Sequence, residues 1–193
     1  GGWTIVTNSL VNNLGSTLTP FNVSYNDLLN VGVGTPSVNS NYQIPLIQYR
    51  LLANPNHKVD YVWYAKSGKS SDPWVKTIGY NNHYLDNSVD FVWFGNLVYS
   101  YYGIVVYNGL PISTFDRDKD LLSSVSCADT YGSFGWYSTC HDAHFWSKTD
   151  DKGLCGSKIQ DKGGTALCNG YSNFDPDAAG AFNTYYQVKI MIR

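Results

Sequence analysis

The residues best able to do chemistry lie close together, between Ile112 and Trp146. Asp116, Asp118 and Asp120 alternate along the chain, which puts carboxylates on one side of an extended or looping backbone. Oxygen-only clusters of this kind suit a hard cation, calcium most readily, and the alternative is a solvated acidic turn. Cys127 and Cys140 follow, with twelve residues between them that include Tyr131, Gly132, Gly135, Trp136 and Tyr137. His141 comes directly after the second cysteine. Cys155 and Cys168 repeat the same spacing, and the four cysteines allow three connectivities. Zinc is disfavoured because neither pair has Cys-x-x-Cys spacing. Disulfides imply an oxidising compartment, hence an extracellular, secreted protein. The glycosylation sequon Asn22-Val23-Ser24 agrees with that setting.

Catalysis is the first function class to test. His141, Asp142 and His144 would offer acid–base or metal chemistry, but a His-x-x-His in a loop is more simply structural. Cys140 beside His141 would suggest a thiol nucleophile, yet a cysteine engaged in a disulfide cannot attack. No phosphate loop, nucleotide fingerprint or Gly-x-Ser-x-Gly is present. The expectation is that the protein is not an enzyme.

Phe-Asp-Arg-Asp-Lys-Asp (115–120), the Cys-Ala at 127–128, the Gly-Ser-x-Gly-Trp-Tyr core (132–137) and Cys140-His141 resemble the calcium loop and ligand pocket of fibrinogen-like C-terminal domains. That family includes ficolins, tachylectins, angiopoietins and the globular ends of fibrinogen chains. The opening Gly1-Gly2-Trp3-Thr4-Ile5-Val6 and the closing Tyr185–Arg193 resemble the family's first and last strands. The resemblance implies disulfides Cys127–Cys140 and Cys155–Cys168. It also implies a calcium ion held by the side chains of Asp118 and Asp120 and the carbonyls of Leu122 and Ser124. Between Asp120 and Cys127 the segment is one residue longer than the family's. For a ligand, the resemblance implies a pocket beside a cis Thr139–Cys140 peptide, lined by Tyr131, Trp136 and His141, with Tyr171 and Phe174 further on. Such a pocket suits an acetyl group. The alternative is that Tyr131, Trp136 and His141 are structural residues around a disulfide. The family's Asn-Gly after the pocket is replaced by Phe145-Trp146.

The elements that position these residues are mostly strands. Hydrophobic residues make up 43% and charged ones 15%, a composition that folds, and 193 residues suffice for one domain. Residues 1–110 form a divergent β-rich part, and 111–193 carry the calcium loop and pocket. Aromatics at 16% favour sheet packing, and a net charge of −2 argues against nucleic acid. No apolar run reaches transmembrane length. Beginning at Gly1 without Met, the chain reads as a mature or excised piece.

Pattern predicts strands at Trp3–Val6, Gln43–Leu52, Val59–Ala65, Trp74–Ile78, Val89–Phe94, Tyr99–Tyr107 and Gln187–Ile192. A short helical turn is expected near Tyr25–Leu29, a turn at Asn54-Pro55-Asn56, and a hairpin at Asn108-Gly109 joining Ile104–Tyr107 to Pro111–Phe115. The fold class is α+β, strand-dominated, with long ordered loops in the C-terminal half. The expected function is a calcium-dependent lectin-like module for a carbohydrate or glycoprotein ligand. The alternative is an extracellular fibre or matrix subunit that self-associates into oligomers.

Overall fold

The computed structural model describes residues 2–10, 21–67, 73–100, 107–138 and 185–193. In chain order the elements are β1 (Thr4–Leu10), α1 (Tyr25–Asn30), β2 (Tyr42–Gln43), α2 (Leu46–Leu52), β3 (Val59–Ser67), β4 (Val75–Leu85), β5 (Trp93–Ser100), α3 (Cys127–Tyr131) and β6 (Tyr185–Ile192). The strands form one antiparallel sheet in the order β2-β1-β6-β3-β4-β5. The last strand thus lies between the first and the third, with Thr4 opposite Ile192 and Val62 opposite Met191. The expected α+β, strand-dominated class is what the chain adopts.

Alternation along the strands decides the two faces of the sheet. Tyr61 and Trp63 of β3, Ile78 and Tyr80 of β4, and Ile190 and Ile192 of β6 point into one core. Leu46 and Tyr49 of α2 pack there, as do Phe21, Phe91, Tyr107, Ile112, Phe134 and Trp136 from the connecting segments. The rings meet edge to face, as their quadrupoles prefer: Tyr80 on Trp93 at 4.6 Å and Tyr61 on Trp93 at 5.7 Å between centroids. Much of the aromatic content is therefore core.

Two predicted strands are corrected. Gln43–Leu52 is not a strand: only Tyr42–Gln43 pairs, and Leu46–Leu52 is helix. Pro45 starts the helix, where its missing N–H costs nothing, and Leu46, Tyr49 and Ala53 bury one face at helical spacing. Val89–Phe94 is also not continuous strand. Asp86 Oδ1 accepts from the amides of Ser88 and Val92 at 3.1 and 2.9 Å, which prolongs a turn. Phe91 has φ +46°, so extended backbone begins only at Trp93.

Other expectations hold with shifted ends: α1, the turn closed by Asn54 and His57, β3, β4 and β6. At Asn108-Gly109 the turn forms, with Leu110 N donating to Tyr107 O at 2.9 Å. The chain after it bridges Trp93 at Leu110 and Gly135 at Ser113; residues 104–106 of the predicted hairpin lie outside the described residues. Gly32, at φ +77°, is required where it stands. A Cβ there would lie 2.2 Å from the Gln43 carbonyl, yet Val33 must reach Gln43 to pair.

Candidate functional site

The acidic stretch is an ordered loop whose three aspartates have different tasks. Asp116 Oδ1 accepts from the Tyr25 amide at 2.9 Å and from Thr114 Oγ1 at 2.7 Å, tying the loop to the start of α1. Asp118 Oδ1 accepts from the Asp120 amide at 3.1 Å. Asp120 Oδ1 accepts from the Leu122 amide and Oδ2 from the Cys127 amide, each at 2.7 Å. Burial pushes the Asp120 carboxyl above the usual carboxylate range. The Cys127 and Leu122 amides oppose that shift, and the neighbouring Asp118 charge adds to it.

Arg117, between the first two aspartates, was not singled out by the sequence reading. It donates to the Val89 carbonyl at 3.1 Å, pairs with the Asp90 carboxylate and lies 4.0 Å over the Tyr25 ring. Its signal was the alternation itself: residues between outward carboxylates point the other way.

Does a calcium ion suit these residues? The donor set is all oxygen, and burial together with the Asp118 charge raises the cost of ionising Asp120, which a cation would relieve. Among the described residues, no hydrogen bond reaches the Leu122 or Ser124 carbonyls. No group of three or more His, Cys, Asp or Glu side chains among them is placed to hold a metal. The expected site draws on only two carboxylates, with carbonyl oxygens as the other protein ligands, and these residues fit it.

Beyond the loop comes α3, begun by Ser126, whose hydroxyl accepts from the Asp129 amide, and ended by Gly132 at φ +62°. Cys127, its first residue, is fully buried and disulfide-bonded, with its partner outside the described residues. Tyr131 is the last residue of α3. Trp136 sits in the core at 5% exposure and donates its indole N–H to the Phe91 carbonyl at 2.9 Å. It supports the segment from within, where the sequence suggested a pocket wall. Tyr137 likewise turns inward and bonds Ser133.

The acidic loop and this segment are joined at both ends. Leu121 N donates to Ser138 O at 2.9 Å, one residue before Thr139, while Asp120 holds the Cys127 amide. Ser113 and Gly135 exchange backbone hydrogen bonds at 2.8 and 3.0 Å, and the Ser113 hydroxyl accepts from the Lys119 amide. Thr139, Cys140, His141, Cys155, Cys168, Tyr171 and Phe174 lie outside the described residues, as does the peptide bond before Cys140. Asn22 of the sequon is half-buried with Oδ1 enclosed and unpartnered, and Ser24 caps α1 through its hydroxyl. Among the described residues no helix is long and apolar enough to cross a membrane.

Residues 84–175 match the family model for the fibrinogen beta and gamma chains, C-terminal globular domain. Among solved structures the chain is similar over 100% of its length to the fibrinogen-like globe domain of human ANGPTL6. The TM-score is 0.66 with 17% identity, and 78% of that chain is covered. It is similar over 99% of its length to lamprey fibrin D-dimer, solved in complex with the peptide Gly-His-Arg-Pro-amide, with a TM-score of 0.65 and 14% identity. It spans 61% of that chain. No curated protein sequence matches. The match over residues 84–175 and the fold shared along the whole length agree, and the chain has the fold of a fibrinogen-like C-terminal globular domain.

Proposed function

We propose that this domain is a secreted, non-catalytic recognition module in which calcium at the acidic loop braces a pocket for an acetylated sugar or a similar small group. One observation carries the reading: the loop grips both sides of the segment between Cys127 and Ser138, through Asp120 to the Cys127 amide and through Leu121 to the Ser138 carbonyl. An ion bound by Asp118, Asp120 and the Leu122 and Ser124 carbonyls would not touch the ligand. It would stiffen the support beneath Thr139, Cys140 and His141, with Tyr131 and Tyr171 completing the pocket. The peptide complex of the lamprey relative agrees with ligand binding by this fold, and its ligand is a peptide. The proposed disulfides are Cys127–Cys140 and Cys155–Cys168, and Asn22 is the proposed glycosylation site.

Titration of the protein with N-acetylglucosamine, with calcium and after chelation, tests this. Binding that weakens on chelation supports the reading; no binding in either state sinks the lectin reading. A second reading, a subunit that assembles through protein contacts, draws on the exposed apolar side chains Val31, Ile47 and Leu51 around α1 and α2. Concentration-dependent assembly without sugar would favour it.

A further inference from the structure

The core covers one face of the sheet, and the opposite face has a chemistry of its own. Strand alternation puts Asp60, Val62 and Tyr64 of β3 there, beside Met191 and Lys189 of β6, with Lys76 of β4 opposite Tyr64. A hollow of about 260 Å³ opens on this face, lined by Trp3, Asp60, Val62, Lys76, Val98 and Arg193 together with Gly79 and Asn81. No residue of the acidic loop takes part.

Three cations lie over rings on this face. Arg193 is 4.6 Å from the centre of Trp3 and Lys76 is 5.4 Å from that of Tyr99. Lys189 is 3.8 Å from Trp74 and 5.6 Å from Tyr64. Among the side chains of the lining one is a carboxylate, Asp60, bound to Arg193 at 2.9 Å. This face is therefore locally positive on a chain whose net charge is −2. Gly79 shapes the hollow by lacking a side chain: a Cβ there would come within 2.9 Å of Lys76 Cε, so the lysine lies across bare backbone. Asn81 Oδ1 is buried without a hydrogen-bond partner, an acceptor that a ligand hydroxyl could satisfy with a small shift.

We infer that this face binds an anionic polysaccharide, with one acidic sugar residue in the hollow and the chain continuing over Lys189 and Trp74. Flat indole and phenol rings match the C–H face of a pyranose, and Lys76, Lys189 and Arg193 match its carboxylate or sulfate groups. An acidic peptide would satisfy the cations but leave the row of rings without a purpose.

The test uses the full chain and a heparin-derived octasaccharide at low salt, with an uncharged glucose octasaccharide, poly-glutamate and oligo-dT for comparison. The sulfated octasaccharide is expected to bind tightest, and more weakly as salt rises. Adding a calcium chelator should leave this binding unchanged, which separates it from the acetyl-sugar pocket. Lys76→Gln with Lys189→Gln should weaken it about fivefold or more with the melting temperature retained. If the double variant does not fold, Trp74→Ala decides, with an expected loss of about fivefold. Absence of octasaccharide binding overturns the inference. So does tighter binding of poly-glutamate or oligo-dT, or undiminished binding by a folded variant.

Discussion

The Tyr49 hydroxyl and His83 Nε2 lie 2.7 Å apart inside the core, both residues buried. His83 Nδ1 is 3.0 Å from the Phe94 carbonyl, an oxygen that can only accept, so Nδ1 carries the proton. Nε2 is then the acceptor and Tyr49 the donor, and the imidazole is neutral. Burial depresses His83 to about 3, with the Phe94 carbonyl opposing the shift, and burial raises the Tyr49 hydroxyl well above its ordinary range.

That arrangement predicts acid sensitivity. His83 in the unfolded chain titrates near 6.5, far above its folded value, so below pH 6.5 the unfolded state takes up a proton that the folded state does not. The contribution is intact above pH 6.5 and is lost as pH falls towards 3, by about 2 kcal/mol at pH 5. Urea midpoints at pH 7.5 and pH 5 measure it. His83→Gln should be less stable at neutral pH but should lose less between the two conditions than the parent. An equal loss in both would place the acid sensitivity elsewhere.

Trp136 separates a supporting role from direct ligand contact. Trp136→Phe keeps most of the ring but removes the donor to Phe91 O, leaving a carbonyl in the core unpaired beside a residue at φ +46°. The expected cost is about 1–3 kcal/mol in urea unfolding. Affinity for N-acetylglucosamine, measured where the variant is fully folded, should change by less than about threefold. A larger loss of affinity with stability retained would make Trp136 a wall of the pocket after all.

How legible these features were depended on whether a local pattern had one meaning. Alternation announced β3 and β6 because Tyr61 and Trp63, or Ile190 and Ile192, point into the core while their neighbours face the other side of the sheet, where Val62 is buried too. The segment from Gln43 to Leu52 misled because apolar residues at 44, 46, 47 and 49 suit either period. Only burial of Leu46, Tyr49 and Ala53 against exposed Ile47 and Leu51 selects the helix. Phe91 was hidden for another reason. A bulky residue in left-handed backbone has no composition signal, and it is held there by Trp136 from 45 positions away. The aspartates could be seen as a set, but their separate partners, Tyr25 for Asp116 and Cys127 for Asp120, are contacts that only the fold creates.

The disulfide arrangement makes a prediction of its own. Cys127 is disulfide-bonded, and the loop brings Ser138 to Leu121 close in sequence to Cys140. Peptide mapping of the unreduced protein should recover Cys127 linked to Cys140 and Cys155 linked to Cys168. Breaking the first link by Cys140→Ser should cost about 3 kcal/mol under the chain-entropy model. Recovery of Cys127 with Cys155 or Cys168 would remove the geometric basis of the pocket.

The last prediction concerns Asp118 and Asp120. Without a cation, burial and the Asp118 charge raise the Asp120 carboxyl, so ionising it disfavours the folded state. The sign follows from linkage. With its folded value above the unfolded one, the contribution of Asp120 to stability falls as pH rises through the carboxylate range, and it stays low above the folded value. A calcium ion bound by both carboxylates reverses that, because it favours the charged forms and binds only the folded loop. Millimolar calcium at pH 7 should therefore raise the melting temperature, and the gain should shrink as the buffer is taken down towards pH 4. Asp118→Asn should abolish the calcium gain while costing little in its absence, since the bond it accepts from the Asp120 amide is exposed and its charge opposes ionisation of Asp120. Asp120→Ala should abolish the gain and also cost about 2–3 kcal/mol without calcium, because the Leu122 and Cys127 amides lose their acceptor. If the parent and Asp118→Asn respond alike to calcium, the ion does not bind here, and the loop is braced by Asp120 alone.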